Sequence, residues 1–167
     1  MHQQESVKNH LSFRPVAEND RPFLLFLYRS VRDDLDVMSG KMEEAQIDVF
    51  VQQQFDLQDH HYKKYYPNAA FKVICYRKKD CGRLYINEEP DEIQILDITF
   101  DPKYRGRGFG GIIMTDIIDE AKTKNKNVNI YVKKDNRAMN LYNRLGFQIT
   151  EEGPIYNQMK KYATMVG

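Results

Sequence analysis

The chain has 167 residues, of which 41% are hydrophobic and 29% charged, and its formal net charge at pH 7 is +1. This length suits one domain with a substantial core rather than two domains. The near-zero charge gives no global signal for nucleic acid, and no apolar run approaches the roughly 20 residues that a membrane-spanning helix needs.

The N-terminal residues are polar and lack the apolar stretch of a secretory signal. We therefore expect a flexible segment over residues 1–10, followed by a single domain over residues 11–167. Cys75 and Cys81 are the two cysteines of the chain, and one pair is weak grounds for a disulfide. Free thiols and a cytoplasmic location are the expectation.

The domain is predicted to begin with one strand and two helices. Leu11–Val16 has the apolar pattern of a strand. Asp20 can cap the first helix, with Pro22 in its first turn. The acidic run at residues 33–36 indicates a loop, and the spacing of apolar residues predicts a longer helix over Met42–Tyr65.

Three strands are predicted next. Phe71–Tyr76 and Arg83–Asn87 form a hairpin around the polar turn Lys78–Asp80. A second turn at residues 88–91 leads into the strand Glu92–Phe100.

A glycine-rich turn follows the third of these strands. Its sequence is Tyr104-Arg105-Gly106-Arg107-Gly108-Phe109-Gly110-Gly111, and a helix is predicted over Gly108–Lys124. Glycines let backbone N–H groups approach a ligand closely, and the free N–H groups of a helix start favour an anion. Two arginines add positive charge. The pattern indicates a site for a pyrophosphate.

Other functions of such a turn fit less well. A segment that touches RNA usually carries many arginine–glycine repeats, whereas this chain has one short tract from which a helix starts. A dinucleotide-binding turn needs an acidic residue about 20 positions further on, and Asp119 and Glu120 come too early and lie on the helix itself. A Walker loop would need a Gly-Lys-Ser/Thr sequence, which does not follow here.

The remaining elements are a strand, a short helix and a hairpin. The strand is predicted at Val128–Val132. The helix is predicted to begin at a cap, Asp135 or Asn136, and to end near Leu145, with Gly146 ending it. The hairpin strands are predicted at Phe147–Thr150 and Ile155–Tyr162. The order of elements is βααβββαβαββ. The fold class is therefore α+β.

Two motifs resemble those of the GCN5-related N-acetyltransferase (GNAT) superfamily. Arg105-Gly106-Arg107-Gly108-Phe109-Gly110 fits its Q/R-x-x-G-x-G/A signature, and Asn136–Phe147 is similar to its N-x-A-x-x-L-Y-x-x-x-G-F segment. The resemblance covers roughly Leu11–Tyr162. It implies a mixed, mostly antiparallel central sheet with one splayed parallel strand pair, flanked by about four helices.

The resemblance implies acetyl-CoA as co-substrate. Backbone amides around Gly106, Gly108, Gly110 and Gly111 would hold its pyrophosphate, within the loop formed by Arg105, Arg107, Phe109 and these glycines. Ile98, Thr99 and Phe100 would line the pantetheine and acetyl group, with a backbone N–H near Ile98 or Thr99 polarising the thioester carbonyl. Asn136 matches a family residue that contacts the cofactor arm, but it can equally be a helix cap.

Tyr142 matches the position that supplies the general acid in many GNAT enzymes. A phenol with a pKa near 10 is a suitable proton donor to the departing thiolate of CoA. The alternative is a packing role, because Ala138, Leu141, Tyr142 and Leu145 follow helical spacing.

The general base has two candidates. The attacking amine must be neutral, so some group, or water, has to take its proton. Glu92 lies where some GNAT enzymes carry a catalytic Glu, whereas others place it two residues later, where this chain has Gln94. Asp97 lies mid-strand among apolar residues, where burial would raise its pKa. It can equally pair with Arg83.

The acceptor side of the cleft is formed by the first two helices in the GNAT fold. Candidate contacts there are Asp33, Asp34, Asp36, Tyr62 and Tyr65, and the acidic residues would suit a cationic amine; a charged turn is the alternative. The adjacent His60 and His61 have poor spacing for a metal site, and no metal is expected. A homodimer formed through the final hairpin is possible.

These observations favour an acetyl-CoA-dependent N-acetyltransferase that acts on a primary amine by direct attack in a ternary complex. Neither cysteine is near the motifs, so an acyl-enzyme is not expected. Two alternatives are a non-catalytic acyl-CoA-binding sensor or scaffold, favoured by Gln94, and a transferase for a longer acyl group. Neither nucleic acid nor membrane is an expected partner.

Overall fold

A single seven-stranded sheet runs through the protein in the order β1-β2-β3-β4-β5-β7-β6. The computed structural model describes residues 2–163. Met1, in the predicted segment 1–10, and residues 164–167, in the predicted domain 11–167, lie outside the described residues. The strands are β1 (Leu11–Pro15), β2 (Ala70–Tyr76), β3 (Lys79–Glu88), β4 (Glu92–Phe100), β5 (Asn127–Lys133), β6 (Gln148–Glu152) and β7 (Tyr156–Lys161). The α-helices are α1 (His2–His10), α2 (Arg21–Ser30), α3 (Asp34–Met38), α4 (Glu44–Tyr65), α5 (Phe109–Thr123) and α6 (Met139–Arg144).

The strands β4 and β5 form the parallel pair of this otherwise antiparallel sheet. Their pairing begins at Glu92 opposite Asn127 and ends at Ile95 opposite Ile130. Beyond that point both strands continue without pairing to each other, so a cleft opens between their carboxyl ends. The predicted α+β fold with one splayed parallel pair is confirmed.

A β-bulge interrupts β4 where the cleft begins. Tyr85 of β3 lies opposite Asp97, but the next residue, Ile86, lies opposite Ile95, so Leu96 has no partner on β3. An extra residue reverses which face the following side chains occupy. Ile93 and Ile95 before the bulge, and Ile98 and Phe100 after it, therefore all pack into the main core.

The sheet lies between α5 on one face and α4 on the other. Helix α5 contributes Ile113, Met114 and Ile117 to the main core, together with buried strand residues such as Leu84. Arg83 and Tyr85, on either side of Leu84, contact α4 instead. Alternation along β3 thus separates an apolar layer under α5 from a partly polar layer under α4.

Three local predictions were wrong or incomplete. Residues 34–38 form α3 rather than a loop, because two acidic residues stabilise the start of this helix and Leu35 is buried. The β2–β3 turn is centred on Arg77 and Lys78, whose φ angles of 50° and 66° are those of a tight hairpin turn, so β3 begins earlier than predicted. Helix α1 was not predicted; it packs on α5, where Lys8 pairs with Asp116 at 2.9 Å. With α1 and α3, the described residues hold six α-helices rather than about four.

Gly82 permits the close approach of β3 to β4 beside the cleft. A Cβ at this position would lie 2.5 Å from the Thr99 carbonyl oxygen and 3.1 Å from the Phe100 ring. We expect Gly82→Ala to lower the free energy of unfolding by about 1–3 kcal/mol, the usual cost of overpacking. Urea unfolding would measure it. Gly40→Ala, whose Cβ would be 3.8 Å from its nearest neighbour, is the control, and an equal effect of both substitutions would contradict this account.

Candidate active site

The glycine-rich loop presents a run of backbone N–H groups at the start of α5. Gly106 and Gly108 have φ angles of 76° and 82°, and a Cβ on either would meet nothing within 4 Å, so both face open space. Within residues 2–163, the N–H groups from Gly106 to Gly111 have no hydrogen-bond acceptor. Six adjacent free donors at a helix start form a site of positive potential that suits a phosphate group.

Gly110 and Gly111 have a different role from the two left-handed glycines. A Cβ on Gly110 would lie 3.7 Å from both Leu141 and Phe100, and one on Gly111 would lie 3.5 Å from Leu141. These glycines therefore let the start of α5 pack closely against α6 and the end of β4. Phe109, between Gly108 and Gly110, is buried in the main core and anchors the first turn of α5.

The two arginines of the loop are both engaged with the protein. Arg105 donates to the Phe100 carbonyl oxygen (3.2 Å) and to Ser30 Oγ (3.1 Å), which fastens the loop to β4 and to the end of α2. The Arg107 guanidinium lies 5.3 Å from the centre of the Tyr104 ring. The contact to Ser30 was not anticipated from the sequence, because the two residues lie 75 positions apart.

The side chains predicted to line the cofactor arm separate onto two faces of β4. Ile98 and Phe100 are partly buried against the α5 core. Thr99 faces the α4 side, is buried, and donates from Oγ1 to Asp97 Oδ1 at 2.7 Å. The Thr99 side chain therefore does not contribute to the apolar lining formed by its two neighbours.

Tyr142 is buried on α6, and 4% of its surface is exposed. Its ring packs against Phe147 with ring centres 5.6 Å apart, and its hydroxyl has no hydrogen-bond partner in the part of the chain that the structure describes. Burial, with a smaller contribution from the negative charge of Asp97, raises the pKa of Tyr142 to about 12. The phenol is therefore protonated at neutral pH, as a general acid must be.

Asp97 is held in an ion pair with Arg83, the alternative left open by the sequence. The Arg83 side chain is 3% exposed, and it also donates to Gln58 Oε1 at 3.0 Å. Arg83 Nε is buried without a hydrogen-bond partner among the described residues. With Thr99 on its other oxygen, Asp97 has both carboxylate oxygens engaged.

Glu92 lies at the opposite end of β4 from the cleft. It pairs with Lys160 at 3.5 Å and accepts a hydrogen bond from Gln94 at 2.9 Å. Ile98 is six residues further along the strand, a separation of about 20 Å at the usual rise per residue. The structure therefore does not bring Glu92 close to the residues expected around the acyl group, whereas it does place Asp97 next to them.

Asn136 lies two residues before Ala138, the N-cap of α6, and makes a local hydrogen bond rather than the predicted helix cap. Its Oδ1 accepts a hydrogen bond from the backbone N–H of Ala138 at 2.8 Å. This bond supports the turn into α6, so that Tyr142 is held in place. The side-chain N–H₂ of Asn136 has no acceptor within the described residues and is exposed.

The acceptor-side candidates are dispersed over α3 and α4. Asp34 is paired with Arg32 at 2.7 Å, which lowers the pKa of Asp34, and Asp36 lines a cleft among α2, α3 and α4. Asp33 is exposed. Tyr65 is also exposed, whereas the Tyr62 hydroxyl donates to the Leu96 carbonyl oxygen at 3.2 Å.

No group of three or more metal-ligating side chains occurs among residues 6–163, whose side chains the structure describes. His60 and His61, the adjacent histidines, lie on the exposed side of α4, and the ring of His61 rests 4.7 Å from that of Tyr65. Among the described helices, none has the length and hydropathy of a membrane span.

The fold and the glycine-rich loop define a protein of the N-acetyltransferase class. The parallel strands β4 and β5 separate to form a cleft, and the free backbone amides at the start of α5 lie at that cleft. The family model described as "Acetyltransferase (GNAT) family" matches residues 41–147. The chain belongs to this family, as its motifs predicted. The matched part runs from just before α4 to just after α6 and includes the glycine-rich loop, β4 and Tyr142.

Relatives of known sequence or structure agree with this assignment. An uncharacterised N-acetyltransferase of Methanocaldococcus jannaschii is 34% identical over 82 residues, covering 48% of this chain and 36% of that protein, so the match spans about a third of its length. The PaiA N-acetyltransferase of Thermoplasma acidophilum, solved with coenzyme A, is 15% identical with a TM-score of 0.64 over 91% of this chain and 98% of that chain. Spermidine N-acetyltransferase of Vibrio cholerae, solved with CoA and spermine, is 18% identical with a TM-score of 0.61 over 93% and 96%. These two structures show the fold alone.

Proposed function

We propose that the protein transfers the acetyl group of acetyl-CoA to a primary amine by direct attack in a ternary complex. The observation that carries this proposal is the run of free amides from Gly106 to Gly111 at the mouth of the β4–β5 cleft. The pyrophosphate of CoA would bind to these amides. Its pantetheine arm would then lie along the unpaired edge of β4, where strand backbone groups are free to bond it.

In this reaction the neutral amine attacks the thioester carbonyl carbon, the C–S bond breaks, and sulfur leaves as a thiolate. Tyr142, protonated and without another hydrogen-bond partner among the described residues, would donate its proton to that sulfur. The proton lost by the amine would pass to water or to a carboxylate. Positioning the amine against the thioester supplies much of the acceleration.

A non-catalytic acyl-CoA-binding module is a second candidate, and one observation favours it. Both carboxylates considered as general bases are engaged, Asp97 by Arg83 and Glu92 by Lys160. A sensor would need the free amides but no base. Release of CoA from acetyl-CoA in a screen of primary amines distinguishes the two, since a sensor releases none with any amine.

The binding step can be tested by thermal unfolding with and without acetyl-CoA. A ligand that binds only the folded state stabilises it by about 2.7 kcal/mol at 100 times its dissociation constant. We expect a clear rise in the midpoint for wild type and none for Gly108→Glu, because a carboxylate would occupy the open space beside the free amides.

Two further variants separate charge from backbone strain. Gly108→Ala carries the strain of a side chain at a φ of 82° without the charge, and we expect it to bind acetyl-CoA. Gly40→Glu adds the same charge between α3 and α4, outside the glycine-rich loop, and should respond like wild type. If wild type shows no rise with acetyl-CoA or with any longer acyl-CoA, the proposed function is wrong.

A further inference from the structure

The bulge residue Leu96 has no partner on either neighbouring strand. The register of β3 passes from Asp97 to Ile95 without it, and the pairing of β5 with β4 ends at Ile95. Leu96 is therefore the bulge residue on the β3 side of β4 and the first residue of the cleft on the β5 side. Its backbone polar groups need partners from outside the sheet.

Tyr62 of α4 supplies the partner for the Leu96 carbonyl. Its hydroxyl donates to that oxygen at 3.2 Å, although the two residues lie 34 positions apart. The Tyr62 ring packs edge-on against Tyr85, with ring centres 5.6 Å apart and planes at 88°, so the hydroxyl is held by a partly buried ring. Burial raises the pKa of Tyr62, which keeps this donor protonated.

The next residue of β4 is fixed as well. The Asp97 side chain is held by Arg83 and Thr99, and Arg83 is in turn bonded to Gln58 on α4. One turn of α4 separates Gln58 from Tyr62, so the same face of one helix secures the bulge at two successive residues. The backbone that follows, at Ile98 and Thr99, is thereby held in one position.

We propose that Tyr62 is a positioning residue for acyl transfer, one that holds the bulge so that the backbone N–H of Ile98, which faces away from β3, meets the thioester carbonyl. This inference rests on the proposed function. Donors fixed before the reaction stabilise the developing oxyanion without reorganising. Losing the Tyr62 hydroxyl would free the Leu96 peptide and let the N–H donor of Ile98 move.

The polarisation of the bound thioester can be measured directly, without knowing the acceptor. Infrared spectra of acetyl-CoA labelled with ¹³C at the carbonyl report how far its stretching frequency falls on binding. We expect a fall with wild type, the same fall with Tyr162→Phe, an exposed tyrosine that follows β7, and most of the fall lost with Tyr62→Phe. The Kd for CoA, which has no acyl group, should change by less than about threefold, because the free amides are untouched.

A replacement that restores a donor separates positioning from packing. With 4-aminophenylalanine at position 62, an N–H donor lies near the site of the hydroxyl, and we expect the frequency fall to return. Full polarisation in Tyr62→Phe, or equal loss in both variants, would overturn the proposal. An absence of acetyl-CoA binding by wild type in thermal unfolding would instead refute the proposed function, whatever the behaviour of Tyr62.

With an amine that wild type acetylates, kcat should report the same effect. We expect Tyr62→Phe to lower kcat by about tenfold to a hundredfold and to leave KM for acetyl-CoA nearly unchanged, the pattern of an interaction that acts only in the transition state. A rise in KM with kcat intact would contradict this and would mean that Tyr62 supports binding alone.

Discussion

Replacing Asp97 with Ala should lower the free energy of unfolding by about 3–5 kcal/mol, the usual effect of leaving a buried charge without its partner. The Arg83 side chain is 3% exposed, and its remaining contacts are Gln58 Oε1 at 3.0 Å and the Tyr85 ring at 4.8 Å. Neither contact carries a negative charge. Since domains are commonly stable by about 5–15 kcal/mol, this loss would be visible in urea or guanidinium unfolding.

Matched variants show whether the loss comes from the buried pair. Asp33→Ala removes an exposed carboxylate and should change stability by no more than about 0.5 kcal/mol. Changing both partners, Arg83→Met with Asp97→Leu, should recover most of the loss, because no charge is then left buried. If Asp97→Ala costs no more than Asp33→Ala, the pair contributes little to folding, and Asp97 becomes free to act as the base.

The order of strands and helices could be predicted because the local patterns agree with the fold. The apolar residues of β4 and β5, the glycines before α5 and Gly146 after α6 each specify their own conformation from nearby sequence. Gly146, with a φ of 92°, ends α6 as predicted. The one short helix that was mistaken for a loop, α3, depends on burial of Leu35 in a small cluster with Ile47 and Val51.

The bulge could not be predicted from the sequence. Alternation within β4 is broken at Leu96-Asp97, but the residue that carries the extra position is fixed by the register with β3. That strand begins at Lys79, 13 residues before β4 begins at Glu92. The partner of the Leu96 carbonyl comes from α4. Tyr62 was therefore recognised only as a candidate acceptor contact, and Gln58 was not recognised at all.

Candidate residues that lie close together in the sequence lie in different parts of the structure. Glu92 and Asp97 are five positions apart on one strand, yet one lies where β4 and β5 are paired and the other where they have separated. Asp97 also contributes to the raised pKa of Tyr142, although the two residues are 45 positions apart in sequence.

Replacing Tyr142 with Phe should lower kcat by about a hundredfold or more, the typical contribution of a positioned general acid. The ring, its packing against Phe147 and the start of β6 would be retained, because only the hydroxyl is removed. We expect KM for acetyl-CoA to change little. Release of the CoA thiol under single-turnover conditions, with an amine that wild type acetylates, would measure the effect. Tyr131→Phe, on a ring that is 61% exposed, is the control.

The role of the hydroxyl can be separated from packing by varying the leaving thiol and the pH. An acid is needed less when the leaving thiolate is more stable, so an acetyl donor whose thiol has a lower pKa should reduce the deficit of Tyr142→Phe. Because the pKa of Tyr142 is raised to about 12, the acid stays protonated below that value, and its function is lost only as the pH rises through it. A kcat that falls near pH 8 in wild type and not in the variant would therefore contradict this account. So would an equal deficit with every thiol, since a packing defect does not depend on the leaving group.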